Sequence, residues 1–389
     1  MKIGVIGAGR LGICFALLCE AAGYDVLVSD VREDYVEGLN KRQIQTNEPE
    51  VETLLKNAVN FKATTDNRQV VRECDLIYTL VPTPSLEDGS YDVSAVWQVV
   101  NDIKDEMENF ANTPKNFVVG CTTNPGDCQN FAKVLPRSVR IFYNPEFIAQ
   151  GSIVNDLRKA DMVLLGHDCF DERDQVISDI TKLYQKIQTT RAIVCTMSLT
   201  AAEITKIAVN CFLTTKISYA NMLGDVLHQA GCGDEITSVL GAIGSDSRVG
   251  RKYLGYGYGY GGPCLPRDNR AFAHFAKTAG MEYNLGFVTD GINNEHASYV
   301  CDYYDKMNSK RLPFFFEYIT YKKGTDILTE SQQYRLCCDL LEKGHSVYIL
   351  NDKRVTPYVE EYLTSNFSDR VKFVDNKDNI TEPYFIVNL

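Results

Sequence analysis

Residues 2–12 read KIGVIGAGRLG and combine a short apolar run with a glycine-rich turn. The apolar run is typical of a buried parallel strand, and the amphipathic segment at 13–22 is typical of a helix. A second apolar segment follows at 25–29 and ends beside Asp30. The sequence therefore predicts a strand, a tight turn, a helix and a second strand in immediate succession.

The turn has the glycine spacing of a dinucleotide-binding site. Gly7 permits the tight turn, Gly9 lets the backbone approach a pyrophosphate, and Gly12 lets helix and strand pack closely. The pyrophosphate would meet the positive end of the helix. Asp30 follows Gly12 by 18 residues and can accept hydrogen bonds from a ribose diol, which favours NAD over NADP, although Arg32 weakens that preference. The competing interpretation is a glycine turn without a ligand.

Further strand-like segments extend this unit, with helical patterns between several of them. Together they predict a doubly wound parallel sheet, in which ligands collect at the carboxyl ends of the strands. The predicted strands are 76–81, 117–121, 140–143 and 162–166. Three of their carboxyl ends carry distinctive loops, and the polar residues Thr83, Thr122 and Glu146 in those loops would face the nicotinamide.

The middle of the chain predicts one long helix over residues 198–230, which is longer than a typical globular helix and suggests a bridge between domains. Lys206 and Asn210 are four residues apart and would share a face of it. The alternative for this pair is a solvated helix surface.

A smaller α/β unit is predicted from about residue 312. The loop at 322–326, KKGTD, could hold an anion through charge and backbone N–H groups, or it could be a flexible surface loop. The predicted elements are strands at 314–321, 346–350, 371–374 and 384–388 and a helix at 329–343.

Cys264 lies in the run YGYGYGGPCLPRD at residues 256–268. A hydride acceptor alone would suggest an ordinary alcohol dehydrogenase. A hydride acceptor together with an activated thiol allows more, because a thiol can add to an aldehyde and the adduct can lose a second hydride. This combination predicts oxidation of a primary alcohol to a carboxylic acid in one active site.

Composition limits the other possibilities. The net charge of −11 argues against general nucleic-acid binding. We find no apolar stretch that would cross a membrane and no signal peptide, so we expect a cytoplasmic protein without a membrane partner. The 13 cysteines suggest free thiols in a reducing compartment, and the spacing of the 5 histidines and the cysteines predicts no metal site.

These motifs together resemble the UDP-glucose/GDP-mannose dehydrogenase family over nearly the whole chain. The resemblance implies an NAD-binding Rossmann-type domain at 1–195, a central helical dimerisation region at 196–310 and a C-terminal nucleotide-sugar-binding α/β domain at 311–389. It also implies a homodimer formed through the central helix. The carrying motifs are GAGRLG at 7–12, VPTP at 81–84, NPEF at 144–147, EITK through Asn210 at 203–210, and GGPCLPRD at 261–268.

The resemblance also assigns roles to individual positions. Cys264 would be the nucleophile, with Lys206, Asn210 and Asp268 around the reacting carbon, and Thr122 and Glu146 would handle water and protons. The implied NAD contacts are Gly7, Gly9, Arg10, Leu11, Gly12, Asp30, Thr83, Thr122 and Arg267. The implied substrate contacts are Glu146, Phe147, Ile148, Ala149, Gln150, Lys206, Asn210, Arg248, Tyr253, Leu254, Gly255, Tyr256, Gly257, Gly261 and Lys322.

Several positions depart from the family pattern. Many relatives have a glutamate at Gln150 and a lysine at Arg267, and the proline of the loop at 121–126 is displaced by one position. Tyr35 and Thr329 replace basic residues that contact the cofactor in many relatives. The departures at Tyr35 and Thr329 suggest weaker contacts with NAD and not a different reaction, whereas Gln150 loses any acid/base role that the glutamate would have.

The resemblance favours UDP-glucose as the substrate and its four-electron oxidation to UDP-glucuronate through a thiohemiacetal and a thioester. GDP-mannose and N-acetylated UDP-hexosamines are alternatives within the family. A two-electron dehydrogenase of the hydroxyacid type is an alternative without the nucleophilic thiol. A catalytically silent nucleotide-sensing or scaffold protein is a further alternative from another class.

Overall fold

A computed structural model describes residues 1–110, 113–148, 151–168, 174–367 and 370–387. They form two compact units, Met1–Ile207 and Ala208–Leu389. The first unit is built around a mostly parallel sheet and the second around a smaller parallel sheet. The division into three domains at 1–195, 196–310 and 311–389 stays a prediction.

The first unit contains an eight-stranded sheet of order β3-β2-β1-β4-β5-β6-β7-β8. Strands β1 to β6 are parallel to one another, as predicted, and their order is that of a Rossmann fold. The strands are β1 (Lys2–Ile6), β2 (Asp25–Ser29), β3 (Phe61–Thr64), β4 (Leu76–Thr79), β5 (Lys115–Val119), β6 (Val139–Tyr143), β7 (Met162–His167) and β8 (Ile193–Met197).

The last two strands differ from the fully parallel sheet expected from the sequence. Strand β7 runs antiparallel to β6, and β8 runs parallel to β7. The reversal lies at one side of the sheet, so the carboxyl ends of β1, β4, β5 and β6 still share one edge.

Helices cover both faces of this sheet. Val5 and Ile6 are adjacent in β1 and belong to different hydrophobic clusters, because successive side chains of a strand point to opposite faces. The helices are α1 (Arg10–Ala21), α2 (Glu33–Asn40), α3 (Val51–Asn57), α4 (Asn67–Glu73), α5 (Ser94–Met107), α6 (Asp127–Val134), α7 (Ile153–Arg158) and α8 (Gln175–Ile187).

Helix α9 (Leu199–Gln229) has 31 residues and confirms the long helix predicted from the sequence. The boundary between the two units, after Ile207, falls inside this helix. Lys206 and Asn210 are therefore one helical turn apart in an uninterrupted helix.

The second unit continues with helices and then forms a four-stranded parallel sheet of order β11-β10-β9-β12. Strand β9 is shorter than the predicted segment 314–321, because its pairing with β10 ends at Phe316 and the chain then enters a loop. The elements are α10 (Ile236–Ser245), α11 (Leu265–Thr278), α12 (Leu285–Met307), β9 (Phe314–Phe316), α13 (Gln332–Glu342), β10 (Val347–Leu350), α14 (Thr356–Phe367), β11 (Val371–Val374) and β12 (Phe385–Ile386).

Three further findings concern only the described residues. Within those ranges, no helix combines the length and apolar character needed to span a bilayer. The described cysteines are all free thiols. No cluster of three or more His, Cys, Asp or Glu side chains suited to a metal ion is found in this part of the chain.

Candidate active site

One edge of the eight-stranded sheet carries the polar loops predicted from the sequence. Strands β1, β4, β5 and β6 are consecutive neighbours, and the carboxyl ends of parallel strands lie at the same edge. The glycine turn follows β1, Thr83 follows β4, Thr122 follows β5 and Glu146 follows β6. Thr83 and Thr122 are both buried. The structure thus collects these loops at one edge.

The glycine turn after β1 needs glycine at two positions for the fold itself. Gly7 has a φ of +95°, a conformation that other residues rarely adopt. A Cβ atom on Gly12 would lie 1.9 Å from the Gly7 carbonyl oxygen. A Cβ atom on Gly9, in contrast, would meet no atom within 4 Å. Gly9 therefore leaves open space above the first turn of α1, where N–H groups lack partners within the helix.

Asp30 ends β2 beside this turn and already has hydrogen-bond donors around it. The Ala8 N–H donates to its carboxylate at 3.1 Å, and the Arg32 guanidinium donates to both its oxygens at 2.8 and 2.9 Å. Burial opposes the charge of Asp30, but the Arg32 hydrogen bonds prevail and hold its pKa below the ordinary value. Arg32 also lies 4.2 Å from the centroid of the Tyr35 ring. The carboxylate is thus ionised at neutral pH and held in place.

A cavity of about 620 Å³ opens between the turn and the end of β2. Gly9, the N-terminus of α1 and the Asp30 carboxylate together provide an anion site and a ribose acceptor, which are the features that a dinucleotide requires. The residues present therefore fit NAD. Residues lining the cavity include Ala8, Gly9, Arg10, Arg32, Tyr35 and Glu48.

The loop that carries Thr122 is anchored by a buried carboxylate that the sequence analysis gave no role. Glu203, in the first turns of α9, accepts hydrogen bonds from the Thr123 hydroxyl at 2.9 Å, the Gly126 N–H at 2.7 Å and the Cys128 N–H at 2.9 Å. Burial raises the pKa of Glu203, and these donors oppose the rise. Glu203 thereby holds the loop after β5 against the start of α9.

Glu146 lies beside a cation and a phenol in the first unit. Desolvation raises its pKa to about 7, while a hydrogen bond from Tyr184 and the charge of Lys206 act in the opposite direction. The Lys206 ammonium lies 4.7 Å from the centroid of the Phe147 ring. The structure thus brings Glu146, Phe147 and Lys206 together, and Glu146 can exchange a proton near neutral pH.

Cys264 occupies the position just before the first residue of α11 in the second unit. The positive end of a helix stabilises a thiolate at that position. One turn later, the fully buried Asp268 accepts a hydrogen bond from the Asn210 amide at 2.6 Å and one from the Arg267 guanidinium at 3.2 Å. The Asp268 N–H donates to the Cys264 carbonyl at 2.9 Å. Four of the predicted residues therefore form one cluster.

The glycines before Cys264 are required by close packing within the second unit. A Cβ atom on Gly261 would lie 2.3 Å from the Glu330 carbonyl oxygen. Gly262 has a φ of +80°, and its Cβ atom would lie 2.4 Å from the Tyr321 ring. Side chains cannot be accommodated at these positions, so the run that leads to Cys264 has a fixed path next to the segment carrying Lys322.

The earlier part of the glycine-rich run is held by a buried histidine that the sequence analysis did not single out. The His296 Nδ1 lies 2.8 Å from an Asp225 carboxylate oxygen, and its Nε2 lies 2.8 Å from the Gly257 carbonyl oxygen. The Tyr256 hydroxyl donates to the other Asp225 oxygen at 2.9 Å. Asp225 lies on α9 and His296 on α12, and the sequence separation of these two helices did not indicate that the two residues form hydrogen bonds.

The remaining predicted substrate contacts have varied positions. Ala149 and Gln150 lie outside the described residues, and Ile148 packs at the margin of the first core. Tyr253 has a φ of +60° and is exposed, as is Gly255, whereas Leu254 is buried. Arg248 is exposed and pairs with Asp246 at 2.7 Å. Lys322 is exposed in the loop after β9.

The two groups of predicted catalytic residues thus lie in different units. Glu146, Phe147 and Lys206 are grouped in the first, and Asn210, Cys264, Arg267 and Asp268 are grouped in the second. The first group accompanies a nucleotide-binding edge, and the second surrounds a thiol at a helix N-terminus. These features define an NAD-binding oxidoreductase with a Rossmann fold.

Comparison with known proteins specifies this class. The family model for the NAD binding domain of the UDP-glucose/GDP-mannose dehydrogenase family matches residues 1–188, and the model for its central domain matches residues 200–295. The chain therefore belongs to the UDP-glucose/GDP-mannose dehydrogenase family, whose members are NAD-binding nucleotide-sugar dehydrogenases. This confirms the resemblance noted from the sequence and NAD as the cofactor.

Individual relatives agree with that assignment. The chain is 28% identical to a UDP-glucose 6-dehydrogenase of Haloferax volcanii over 98% of this chain and 88% of the relative. It is 28% identical to a UDP-glucose 6-dehydrogenase of Rhizobium meliloti over 76% of this chain and 68% of the relative. The structure of a UDP-glucose dehydrogenase from the archaeon Pyrobaculum islandicum superposes with a TM-score of 0.82 at 26% identity, covering 99% of this chain and 89% of that one.

Proposed function

We propose that this chain oxidises UDP-glucose at C6 to UDP-glucuronate in two steps with NAD. The observation that carries the proposal is Cys264 at the N-terminus of α11, beside an Asp268 that Asn210 and Arg267 hold in place. A simple alcohol dehydrogenase has no use for a thiol placed in this way. The same chain carries an NAD site, and the proposal requires that this site and the thiol act on one substrate.

The first step converts the C6 alcohol to an aldehyde with loss of one proton and one hydride. NAD held at the glycine turn and Asp30 would supply the hydride acceptor. The Lys206 ammonium would stabilise the negative charge that develops on the alcohol oxygen, and the Asn210 amide would donate a hydrogen bond to it. Asp268 fixes the Asn210 amide through the bond of 2.6 Å, which orients that donor.

The second step requires Cys264. Its thiolate would add to the aldehyde carbon and form a thiohemiacetal, and loss of a second hydride and a proton would give a thioester. Water would then cleave the C–S bond, releasing the carboxylate and regenerating the thiol. Over both steps the sugar loses four electrons, so two NAD are reduced for each UDP-glucose consumed.

Glu146 is our candidate base for the hydrolytic water, with Thr122 positioning that water. Desolvation raises the pKa of Glu146 to about 7. The carboxylate form, which can accept a proton from water, is therefore increasingly populated as the pH rises through this value. We expect the hydrolytic step to be slow below neutral pH and to quicken above it.

The substrate is proposed to be held by the residues that the family resemblance assigns. These are Glu146 to Gln150 and Lys206 of the first unit, and Asn210, the loop at 253–257, Gly261, Arg248 and Lys322 of the second. Lys322 would supply positive charge suited to a diphosphate, and the resemblance implies that Arg248 contacts the substrate across a dimer interface. GDP-mannose and UDP-N-acetylhexosamines present the same diphosphate and remain alternative substrates of the same chemistry.

We further propose a homodimer formed through α9. Phe212, Tyr219, Met222 and Val226 of this helix are exposed by 63%, 43%, 41% and 56%, respectively. Their spacing of seven, three and four residues places them on one face of the helix. A partner helix that covered this face would remove the apolar surface from water.

The free thiols of the described chain also fit a reducing compartment, and we propose the cytoplasm.

The deciding experiment measures NADH formed per nucleotide sugar consumed across UDP-glucose, GDP-mannose and UDP-N-acetylhexosamines. We expect two NADH per UDP-glucose and UDP-glucuronate as the product. In Cys264→Ser the rate of acid formation should fall by at least about 100-fold, because a hydroxyl at that position is a much weaker nucleophile than a thiolate.

Cys232→Ser is the matched control, because Cys232 also precedes a helical turn in the second unit, at Gly233–Glu235. We expect this variant to retain the wild-type rate. One NADH per sugar would favour the two-electron hydroxyacid type of dehydrogenase. Failure to reduce NAD with any nucleotide sugar would favour a nucleotide-sensing or scaffold protein.

A further inference from the structure

A network of buried hydrogen bonds connects Glu146 with Tyr184, Asn144 and Tyr78 in the first unit. The Tyr184 hydroxyl, on α8, is within hydrogen-bond distance of a Glu146 carboxyl oxygen and lies 2.8 Å from the Asn144 side-chain oxygen. The Tyr78 hydroxyl, on β4, lies 3.2 Å from the same Asn144 oxygen. The Asn144 amide donates to the Leu164 carbonyl at 3.0 Å, which fixes the oxygen of that side chain toward the two phenols.

The direction of the hydrogen bonds in this network depends on whether Glu146 is ionised or protonated. A phenol has one hydrogen to donate, so Tyr184 can serve only one of its two acceptors at a time. When Glu146 is ionised, that hydrogen serves the carboxylate, and the Asn144 oxygen keeps only the bond from Tyr78. When Glu146 is protonated, its own O–H can donate to the Tyr184 oxygen, which frees the phenol hydrogen for Asn144.

We propose that Tyr184 is a positioning residue whose phenol proton points to Glu146 when that carboxyl is ionised and to Asn144 when it is protonated. The inference rests on the proposed function only for the step that Glu146 performs. Both states leave Glu146 in the same place with a hydrogen-bond partner. The carboxyl can therefore take a proton from water and release it again without a rearrangement of the backbone.

The groups that face Glu146 come from four elements. Lys206 of α9 favours the ionised form through its charge. Cys19 of α1 and Tyr78 of β4 also interact with the carboxyl, and burial raises the pKa of each well above its ordinary value, so both are neutral. Tyr184 of α8 is neutral for the same reason. Glu146 and Lys206 are thus the charged groups among these neighbours, and Tyr184 supplies the hydrogen bond that responds to Glu146.

Removing the Tyr184 hydroxyl should therefore disfavour the ionised carboxyl. Tyr184→Phe keeps the ring in the core and deletes only the donor. A hydrogen bond to a charged group contributes roughly 1.5 kcal/mol or more, which corresponds to about one pH unit. We expect the acidic limb of the pH profile of kcat to move up by about one unit in Tyr184→Phe, with kcat recovering at high pH and KM for NAD unchanged.

Two further phenol deletions provide the comparison. When Glu146 is ionised, Tyr78→Phe leaves the Asn144 oxygen without a hydrogen-bond donor. The acidic limb of the kcat profile of this variant should therefore move up in pH, by a smaller amount than in Tyr184→Phe. Tyr143→Phe is the matched control. Tyr143 is equally buried on β6, but its ring belongs to the hydrophobic cluster on the other face of the sheet, so its limb should stay at the wild-type position.

A measurement that needs no turnover separates this inference from the proposed function. The folded state raises the pKa of Glu146 to about 7 from its ordinary 4.5, so the group favours folding below 4.5 and loses that contribution as pH rises through 7. Glu146→Gln mimics the protonated carboxyl at every pH. The thermal midpoint of Glu146→Gln should therefore rise relative to that of the wild type from about pH 5 and level off near pH 7.

In a Tyr184→Phe background this difference should begin at the same pH, because the unfolded carboxyl sets its onset, and should level off about one unit higher in pH. The inference is overturned if the midpoints of Tyr184→Phe and wild type depend on pH identically, or if Tyr143→Phe shifts as much as Tyr184→Phe. Failure of the proposed function would be a different result, namely one NADH or none per UDP-glucose, and the thermal series would still decide the role of Tyr184.

Discussion

The two sheets of this protein share one local structure. It follows the strand that is second in the order of each sheet, β2 in the first and β10 in the second. Asp30 and Arg32 follow β2 of the first sheet, and Asp352 and Arg354 follow β10 of the second. In each pair the guanidinium donates to both carboxylate oxygens, at 2.8 and 2.9 Å in the first and at 3.0 and 2.7 Å in the second. The sequence pattern Asp-x-Arg after a strand is therefore present at both edges.

The surroundings of the two pairs differ. The neighbour of β2 is β1, which leads into the glycine turn, whereas the neighbour of β10 is β9, which is followed by EYIT at 317–320. The Asp30 side chain is 8% exposed, and the Asp352 side chain is 37% exposed. The second edge borders a cavity of about 380 Å³, which is lined in part by Gly324 of the loop at 322–326, but β9 is not followed directly by a glycine turn that opens a helix. The difference between the two edges is therefore the helix N-terminus that the glycine turn of β1 places beside Asp30, and β9 has no such turn leading into a helix.

The largest expected effect comes from closing the space above the glycine turn. Gly9→Ala places a methyl group where no protein atom lies within 4 Å, so the fold should be unaffected while the pyrophosphate is excluded. Loss of hydrogen bonds to a charged ligand group suggests a rise in KM for NAD of about 100-fold. Steady-state kinetics together with thermal unfolding would measure both quantities.

Gly12→Ala is the contrasting variant, because its methyl group would meet the Gly7 carbonyl at 1.9 Å. We expect it to lower the free energy of unfolding by roughly 2–3 kcal/mol, in addition to any loss of NAD binding. If Gly9→Ala unfolded as readily as Gly12→Ala, or bound NAD normally, the distinction between these two glycines would be wrong.

A smaller effect is expected from the acids themselves. Asp30→Asn weakens the acceptor for the ribose diol, so KM for NAD should rise about 10-fold. The substitution also removes the negative charge that repels a 2′-phosphate. NADP should therefore become a better cofactor, with Arg32 available to its phosphate. The measurement is kcat/KM with each cofactor.

Asp352→Asn is the matched variant at the other edge. It makes the same change in the same local structure, so it should leave kcat/KM for NAD within about two-fold of the wild type. An equal loss of NAD use in both variants would mean that the second edge takes part in cofactor binding, and the contrast drawn here would fail.

The smallest effect concerns the pairs as stabilising interactions. Double-mutant cycles should give about 1 kcal/mol for Asp30 with Arg32 and no more than about 0.5 kcal/mol for the more exposed Asp352 with Arg354. The pKa of each carboxyl is held below 3.8, by hydrogen bonds that outweigh burial in Asp30 and chiefly by the Arg354 hydrogen bond in Asp352. These contributions are present above 3.8 and are lost only as pH falls below it.

Urea titrations at pH 5 and pH 8 would therefore give the same coupling for each pair. A coupling that changed between these pH values would show that another titrating group controls the pair. This behaviour differs from that expected for Glu146, whose contribution changes within the same interval.

Sequence patterns predicted the elements whose signals are local. Strand β2 and strand β11 have the predicted bounds, and α9 differs from the predicted 198–230 by one residue at each end. Strands β3 and β8 were not predicted, because the four residues of β3, FKAT, are partly polar and β8, IVCTM, is largely exposed, so neither has the apolar pattern of a buried strand. The antiparallel direction of β7 could not be inferred, because strand direction is set by the path of the connection and leaves no mark in the strand itself.

The residues of the candidate site also fall into two groups, those that stand in local sequence motifs and those whose roles depend on contacts distant in sequence. The glycine turn, Asp30 and Cys264 stand in motifs with fixed spacing, so they were accessible from the sequence. Tyr184 and His296 act through contacts with residues 38 and 39 or more positions away, and a lone buried tyrosine or histidine gives no local signal. Glu203 was part of a quoted motif, yet its hydrogen bonds to residues near 126 became evident only from the fold.

Helix α9 joins the two units without a linker, since the boundary after Ile207 lies within its 31 residues. Each residue of an α-helix advances the chain by about 100° around the axis, so inserting a single residue between Lys206 and Asn210 would turn everything that follows by that angle. Protein engineers who wish to exchange the second unit for that of a relative should therefore preserve helical phase across this junction. Exchange of only the part of the second unit that follows α9, with the recombination point near Gly231, avoids that constraint.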